Sequence, residues 1–361
     1  MSKLDETVRK SASRISEENP QWLAPKPSAP ALSALPEIHI SFAEHQQLND
    51  ALTHFAITDS ASGIAQMPAL ARLLERVLGA EKRQVLHAFP QSADVALIVR
   101  GLPVDPGLPA TPYDAEPGIE QVPVLAGAIL SVLATLETRP VGYEGESDTT
   151  VFRHVSPKQE HETTTSSFGS RLGLGMHVDN PHLPLTCEPV TGLSACPEYL
   201  SLTGLRCELD VPTRIVAIHD VLDSLPDFVE QELRQPNFAI RRPDSFGKQG
   251  NVLDSVPLLY KSESGGLHCR YNKASVTATT ANADVALQLF EAAANHPDVT
   301  RHILLQPGDM LIFKNQQTLH ARDGFAPRYD GRDRWMIRVF GVDDPARVVP
   351  LDPSQPFIVR A

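Results

Sequence analysis

The stretch from Leu305 to Gly341 reads LQPGDMLIFKNQQTLHARDGFAPRYDGRDRWMIRVFG. It opens on a Pro-Gly-Asp turn at 307–309, which leads into an apolar run typical of a buried strand. The following segment, after Asn315, brings His320 to the interior of the predicted sheet. A second apolar run, WMIRVFG, closes the stretch and predicts another strand.

Similar short β-rich runs extend back to about residue 150. They include EYLSLTGLRCEL, TRIVAIHDVL and VPLLYKS, and Gly, Pro, Asn and Asp turn signals separate them. One helical pattern, NADVALQLFEAAANH, interrupts the series. This texture predicts a mainly β fold with flanking helices, built on a double-stranded β-helix core of the jelly-roll or cupin-like kind.

The sequence before residue 140 has a different character. Residues 20–36 are rich in Pro, Ser and Ala, which indicates a flexible N-terminal leader over 1–36. Apolar residues at helical spacing then predict one or two amphipathic helices over 42–80, and VPVLAGAILSVLATLETRP predicts a buried helix. We therefore expect one domain over 37–361, with a helical part at about 37–140 and the jelly-roll core at about 141–361.

Composition narrows the class of protein. The net charge is −12 and no basic stripe is present, which argues against a nucleic-acid partner. The first residues form no apolar signal, and no later run of about 18 apolar residues predicts a membrane span, so we expect a cytoplasmic protein. The four cysteines show no metal-type spacing and are expected to be reduced thiols.

Three residues are candidate metal ligands. In GMHVDN, His177 and Asp179 stand two residues apart, so at a strand end both side chains point to one face. His320 offers a second imidazole far downstream. Two imidazoles and one carboxylate form the facial triad of non-haem Fe(II) oxygenases, although zinc hydrolases can use the same set.

Two arginines follow His320 in the second predicted strand. Arg334 and Arg338 are four residues apart and so share one strand face near the candidate metal. A guanidinium is suited to bidentate recognition of a carboxylate. A cosubstrate with two carboxylates would need such an anchor.

His177-x-Asp179, the Pro-Gly-Asp turn, His320 and FAPRYDGRDRWMIRVFG together resemble the clavaminate synthase-like branch of the TauD/TfdA dioxygenase superfamily. That branch includes hydroxylases of free arginine, asparagine and lysine. The resemblance implies that His177, Asp179 and His320 bind Fe(II), with 2-oxoglutarate as cosubstrate and O2 as oxidant. It also implies that Arg334, fourteen residues after His320, holds the C5 carboxylate of 2-oxoglutarate.

The remaining roles are implied by the same resemblance. Thr203 would offer a hydroxyl to the C5 carboxylate, and Arg338 would face the carboxylate of the substrate. Asn180 and Asn272 are further candidates for substrate contact. Asn272 stands where arginine hydroxylases carry acidic residues. Asp179 departs from the Glu of many members of this branch, but its presence disfavours halogenation.

The predicted function is hydroxylation of an unactivated C–H bond in a small carboxylate-bearing substrate, a free L-amino acid such as lysine or another polar amino acid. Desaturation or cyclisation at the same iron site is an alternative, and so is a non-catalytic cupin-like metal-binding protein. Part of 180–197 or 244–266 is a candidate lid. Self-association into a homo-oligomer is left open.

Overall fold

A computed structural model describes residues 32–114, 117–163, 170–246, 252–262 and 266–361. The predicted leader lies almost wholly outside the described residues, and the candidate lid at 244–266 lies partly outside them. The first strand, β1 (Glu37–His39), begins where the single domain was expected to start. The division into a helical part and a β core stays a prediction.

From residue 32 onward, the described N-terminal part contains five α-helices: α1 (Phe42–Leu52), α2 (Ser60–Ala65), α3 (Met67–Val77), α4 (Ala80–Ala88) and α5 (Pro123–Thr135). α1 begins at Ser41, whose hydroxyl accepts the N–H of Glu44 while the Glu44 carboxylate accepts the N–H of Ser41. α3 buries leucines at helical spacing and packs against α5. α5 is buried on nearly every face, which is why its sequence has no polar side.

Two sheets form the centre of the protein. Their strands are β2 (Ala96–Arg100), β3 (Arg139–Tyr143), β4 (Arg153–Val155), β5 (Leu174–His177), β6 (Tyr199–Arg206), β7 (Thr213–Ala217), β13 (Arg301–Ile303), β14 (Met310–Lys314), β15 (Thr318–Arg322), β16 (Trp335–Val342) and β17 (Ile358–Val359). The large sheet has the order β1-β2-β14-β6-β16-β3-β17, with β4 also paired to β16, and the small sheet has the order β13-β7-β15-β5. β1 with β2 and β3 with β17 are parallel, so the large sheet is mixed.

The large sheet is covered on both faces, and its strands are correspondingly apolar on both sides. Along β6, Leu200 and Leu202 join a core shared with the small sheet, whereas Tyr199 and Leu205 join a second core with the helices. β16 alternates in the same way, with Met336 toward the small sheet and Ile337 toward the helices. The helices therefore cover one face of the sheet, and the small sheet covers the other.

The segment between β7 and β13 completes the fold beside the small sheet. It contains α6 (Ile218–Asp223), α7 (Asp227–Leu233), β8 (Phe238–Arg241), β9 (Val252–Val256), β10 (Leu259–Lys261), β11 (Leu267–Cys269), β12 (Val276–Ala278) and α8 (Ala281–Ala294). All four cysteines are free thiols, as expected. Within the described ranges, no helix combines the length and apolar character needed to cross a bilayer.

The Pro-Gly-Asp turn that begins β14 is fixed by its contact with the end of β2. Gly308 has φ +82°, and a Cβ at this position would lie 2.3 Å from the carbonyl oxygen of Leu102. The Asp309 carboxylate accepts the N–H of Gln306 and a hydrogen bond from Arg100. The turn thus sets the start of the strand that leads to His320.

Candidate active site

The three predicted ligands meet at one edge of the small sheet. His320 lies in β15, directly opposite His177 at the end of β5, and Asp179 follows two residues later. The Nε2 atoms of His177 and His320 lie 3.7 Å from Oδ1 and Oδ2 of Asp179, respectively. One ligand atom from each residue can be chosen so that all three lie within 4.8 Å of one another. Two nitrogens and one oxygen at this spacing fit a single divalent cation.

Asn315 holds Asp179 in place. Its Oδ1 accepts the N–H of Asp179 at 3.0 Å, and its Nδ2 donates to the main-chain oxygens of Asp179 and Pro197, both at 3.1 Å. Asn315 is fully buried in the short 3₁₀ turn between β14 and β15. This role of Asn315 was not predicted, because an asparagine in a turn carries no local signal of a contact so distant in the chain.

The protonation states of the triad suit metal binding. The Nδ1 of His177 donates to the carbonyl oxygen of Gly175 at 2.9 Å, which leaves Nε2 as the free nitrogen toward Asp179. Burial and the neighbouring His177 lower the pKa of His320 to about 3. Burial raises the pKa of Asp179, but Arg338 and the two histidines outweigh it and hold that pKa below its usual range. A neutral imidazole and a carboxylate are the forms that bind a metal.

A cavity of about 960 Å³, its mouth included, opens on the triad. The described part of its wall carries six arginines: Arg153, Arg241, Arg242, Arg322, Arg334 and Arg338. Among the described residues that line it, Asp179 is the one carboxylate. The cavity is therefore built to hold anions.

Arg334 and Arg322 form a pair of buried cations in this wall. Arg334 is 5% exposed, and its Nη2 donates to Oγ1 of Thr213 at 3.3 Å. Burial and then the charge of Arg322 lower the pKa of Arg334 to about 9, and burial lowers the pKa of Arg322 to about 10. Neither guanidinium forms an ion pair within the described part of the chain, so together they could bind a carboxylate.

Arg338 lies on the other side of Asp179. Its Nη1 is 3.6 Å from Oδ2 of Asp179, and its Nη2 donates to Oε1 of the buried Glu146 at 2.5 Å. The same Glu146 oxygen accepts a bond from Arg153 at 3.4 Å. Arg153 is the first residue of β4 and Glu146 lies in the loop before that strand, and neither residue was predicted from the sequence.

Comparisons with known proteins identify the chain's family. A family model described as Taurine catabolism dioxygenase TauD, TfdA family matches residues 217–340. An L-asparagine oxygenase from Streptomyces coelicolor is 30% identical over 274 residues, which cover 74% of this chain and 77% of that protein. The chain belongs to the TauD/TfdA family. The resemblance inferred from the motifs is thereby confirmed, and the chain is an oxygenase.

Two further relatives agree with this assignment. An L-lysine 3-hydroxylase from Catenulispora acidiphila is 25% identical over 257 residues, covering 70% of this chain and 68% of that enzyme. A crystal structure of asparagine oxygenase in complex with Fe(II), 2S,3S-3-hydroxyasparagine and succinate superposes with a TM-score of 0.77 at 25% identity. The superposition covers 90% of this chain and 99% of that one.

The assignment of Thr203 in this TauD/TfdA oxygenase needs correction. Thr203 is opposite Met310 and Ile337 in the large sheet, and both belong to the helix-side core. Its neighbour Leu202 lines the cavity instead, because successive side chains of a strand point to opposite faces. Thr213 of β7 lines the cavity and contacts Arg334, so it is the threonine placed for the predicted role.

We expect Thr213→Val to raise the Kd for 2-oxoglutarate roughly 2- to 13-fold, the effect of losing one hydrogen bond of about 0.5–1.5 kcal/mol. Thr203→Val, the matched control, should leave that Kd within twofold of wild type. Calorimetric titration of both variants with 2-oxoglutarate makes the comparison. The reverse ranking would restore Thr203 to the cosubstrate site.

The two predicted asparagines differ in position. Asn272 lines the cavity, forms a β-bridge with His177, and accepts the N–H of Ala274 through its Oδ1 at 2.9 Å. Asn180 is 1% exposed, has φ 54°, and is absent from the cavity wall among the residues described. The left-handed backbone turns the chain at this point, so Asn180 lies apart from the described cavity wall, and its contact with the substrate stays a prediction.

Glu198 contacts the residue that holds Asp179, since its main-chain oxygen accepts the N–H of Asn315 at 2.8 Å. Burial and the charge of Asp343 raise the pKa of its carboxyl to about 7, against a partial opposing effect of Arg347. The folded protein therefore holds this proton more tightly than the unfolded chain does.

The stabilisation from protonated Glu198 should be complete below pH 4.5 and lost as the pH rises to about 7, with a total change of up to about 3 kcal/mol. Glu198→Gln removes the titration, so the free energy of unfolding should fall less between these pH values. Urea unfolding at a series of pH values measures this, with the exposed Glu81→Gln as control. Identical pH slopes for wild type and Glu198→Gln would contradict the assignment.

Proposed function

We propose that this oxygenase binds Fe(II) through His177, Asp179 and His320 and uses 2-oxoglutarate and O2 to hydroxylate an unactivated C–H bond of a free L-amino acid. The observation that carries the proposal is the triad at the base of a cavity that has separate cationic groups on two sides. Its relatives include an L-asparagine oxygenase and an L-lysine 3-hydroxylase. We also propose that the two sheets form a jelly-roll core and that the protein is cytoplasmic.

When bound, Fe(II) supplies the oxidation: 2-oxoglutarate loses CO2 to give succinate, and O2 delivers one atom to each product. The protein's own residues bind and orient the substrates, and they exclude water. His177, Asp179 and His320 would hold the ion at the base of the cavity, so that 2-oxoglutarate and the substrate could approach it from the cavity. The choice of C–H bond is then set by how the wall positions the substrate.

Arg334, with Arg322 beside it, is proposed to hold the C5 carboxylate of 2-oxoglutarate. Both guanidiniums are buried and repel each other, and burial of such a charge is costly without a counterion. A carboxylate accepting hydrogen bonds from Arg334 would relieve that cost. Thr213, which accepts a hydrogen bond from Arg334, orients the guanidinium.

Arg338 is proposed to bind the substrate's carboxylate from the opposite side of Asp179. Its bond to Glu146 fixes the guanidinium, and its separation from Arg334 by four strand positions puts both on the cavity face. Glu146 also keeps this region from being purely cationic. The substrate and the cosubstrate thus have different arginines.

Desaturation or cyclisation would use the same residues, and no feature of the cavity favours either over hydroxylation. A non-catalytic metal-binding protein is not favoured, because the chain belongs to an oxygenase family and carries the arginine groups beside the triad. A screen of the proteinogenic amino acids for succinate release, with Fe(II), ascorbate and 2-oxoglutarate, tests the proposal. At least one amino acid should stimulate iron-dependent succinate release, and a silent screen would contradict the amino-acid substrate.

We expect Arg338→Ala to raise the KM for the amino acid at least tenfold while 2-oxoglutarate still binds. Consumption of 2-oxoglutarate should become partly uncoupled, with more succinate formed than hydroxylated product, because the substrate is held poorly. The ratio of the two products by mass spectrometry measures this, and thermal unfolding checks that loss of the Glu146 pair has not unfolded the protein. A normal product ratio with a raised 2-oxoglutarate requirement would reverse the roles of Arg334 and Arg338.

A further inference from the structure

The charge of the cavity exceeds what the proposed ligands require. Arg338 and Arg153 share Glu146, and Arg322 and Arg334 face the proposed C5 carboxylate of 2-oxoglutarate. Two arginines of the wall, Arg241 and Arg242, have no such assignment. An amino acid with a neutral side chain is a zwitterion, and its single carboxylate would be taken by Arg338.

Arg241 is placed at the mouth of the cavity. It ends β8, its N–H donates to the main-chain oxygen of Ser275, and its Nη2 donates to that of Ala274, both at 2.9 Å. Ala274 is bound in turn to Asn272, which is bridged to His177. The wall thus leads directly from the triad to Arg241, and Asn272 to Ser275 span at most roughly 10 Å.

Arg242 follows on the same wall. Its Nη2 donates to the main-chain oxygen of Ala361 at 2.8 Å, and its guanidinium lies 4.6 Å from the ring centroid of Phe246. No Asp or Glu side chain in the described ranges forms an ion pair with Arg241 or Arg242. Arg241 thus has no carboxylate partner among the described residues, whereas Arg242 already donates to Ala361 and offers its remaining N–H groups to an anionic group that enters the cavity.

We propose that the side chain of the substrate carries a carboxylate, so that the enzyme acts on an acidic amino acid whose second carboxylate reaches Arg241 and Arg242. This inference rests on the proposed function and narrows its substrate class. A cationic side chain, such as that of lysine, would add a positive charge to a wall that already carries many. Asp179 is the one carboxylate among the described lining residues, and it is proposed to bind the metal. The amide of the same amino acid has the same shape but no charge, so it would not pair with the two arginines.

Calorimetric titration under nitrogen, with Fe(II) and 2-oxoglutarate bound, compares six ligands: L-aspartate, L-glutamate, L-asparagine, L-glutamine, L-lysine and L-arginine. One acid should bind at least tenfold more tightly than its own amide, and the two cationic amino acids should bind more weakly than either. The preference should weaken at high salt, because it is electrostatic. Equal binding of acid and amide, or tighter binding of lysine, would overturn the inference.

The variants Arg241→Gln and Arg242→Gln, alone and combined, locate the recognition. The double variant should lose most of the acid-over-amide preference while its Kd for 2-oxoglutarate stays within twofold of wild type. Arg139→Gln, which removes the same charge from an exposed position on β3, should retain the preference. An intact preference in the double variant would contradict the assigned arginines.

The outcomes also separate this inference from the proposed function. Tight binding of an amide or a cationic amino acid would refute the acidic side chain and leave the amino-acid oxygenase proposal standing. Binding of 2-oxoglutarate without any of the six amino acids would refute the acidic side chain, and the succinate-release screen of all proteinogenic amino acids would then decide the proposed function.

Discussion

Replacing His177, Asp179 or His320 with alanine is expected to abolish retention of Fe(II) after dialysis and to reduce succinate formation below detection. Each variant removes one of three protein ligands, and two remaining ligands hold a divalent ion far too weakly at micromolar metal. The side chains lie at the base of a cavity rather than in the apolar core, so the fold should persist. Bound iron is measured by a colorimetric chelator assay, and folding by circular dichroism.

His302→Ala is the matched control for these variants. His302 is exposed on β13, in the same small sheet, and has no contact with the triad among those described. It should retain iron and activity at the wild-type level. Near-normal iron retention by any one of the three ligand variants would exclude that residue from the metal site.

Arg334→Ala is expected to raise the Kd for 2-oxoglutarate by roughly 30-fold to several thousand-fold, corresponding to about 2–5 kcal/mol for a buried charge pair left without its partner. Arg322→Ala should cost less, because Arg334 is proposed to donate the hydrogen bonds to the C5 carboxylate and Arg322 adds only a second nearby charge. Calorimetric titration of the iron-loaded protein under nitrogen gives both values.

Thermal unfolding provides an independent measure of the same site. 2-Oxoglutarate should raise the Tm of wild type, but it should hardly change that of Arg334→Ala, because binding to the folded state is what stabilises it. Arg334→Lys should recover part of the shift, since charge is kept and the bidentate geometry is lost. A 2-oxoglutarate Kd unchanged in Arg334→Ala would place the cosubstrate elsewhere.

The residues that could be predicted from sequence share a local pattern. His177 and Asp179 stand two apart at a strand end, and Arg334 and Arg338 stand four apart in a strand, so their common orientation follows from the period of two. The structure brings these four and His320 to one cavity. The antiparallel pairing of His177 with His320 could not be read from either segment alone.

The sequence predictions failed where the local pattern does not show which way a side chain points. YLSLTGLR is buried on both faces because β6 is a central strand, so its apolar residues do not tell which side Thr203 takes. Arg322 stands two residues after His320 in β15, so the period of two could have placed it on the same face. Arg241 and Glu146 were not predicted because each reaches the site from a different element. Only the pairing of distant strands places them together, and that pairing is set by the whole fold.

The most direct test of the central claim is the reaction of the iron-loaded protein with 2-oxoglutarate, the amino acid that it binds most tightly, and ¹⁸O-labelled O2. Mass spectrometry should show an amino acid that has gained one ¹⁸O atom, together with one succinate for each product molecule. His320→Ala should give neither product. An amino acid that has lost two hydrogens without gaining oxygen would make the enzyme a desaturase or cyclase, and absence of iron-dependent succinate would contradict the oxygenase account.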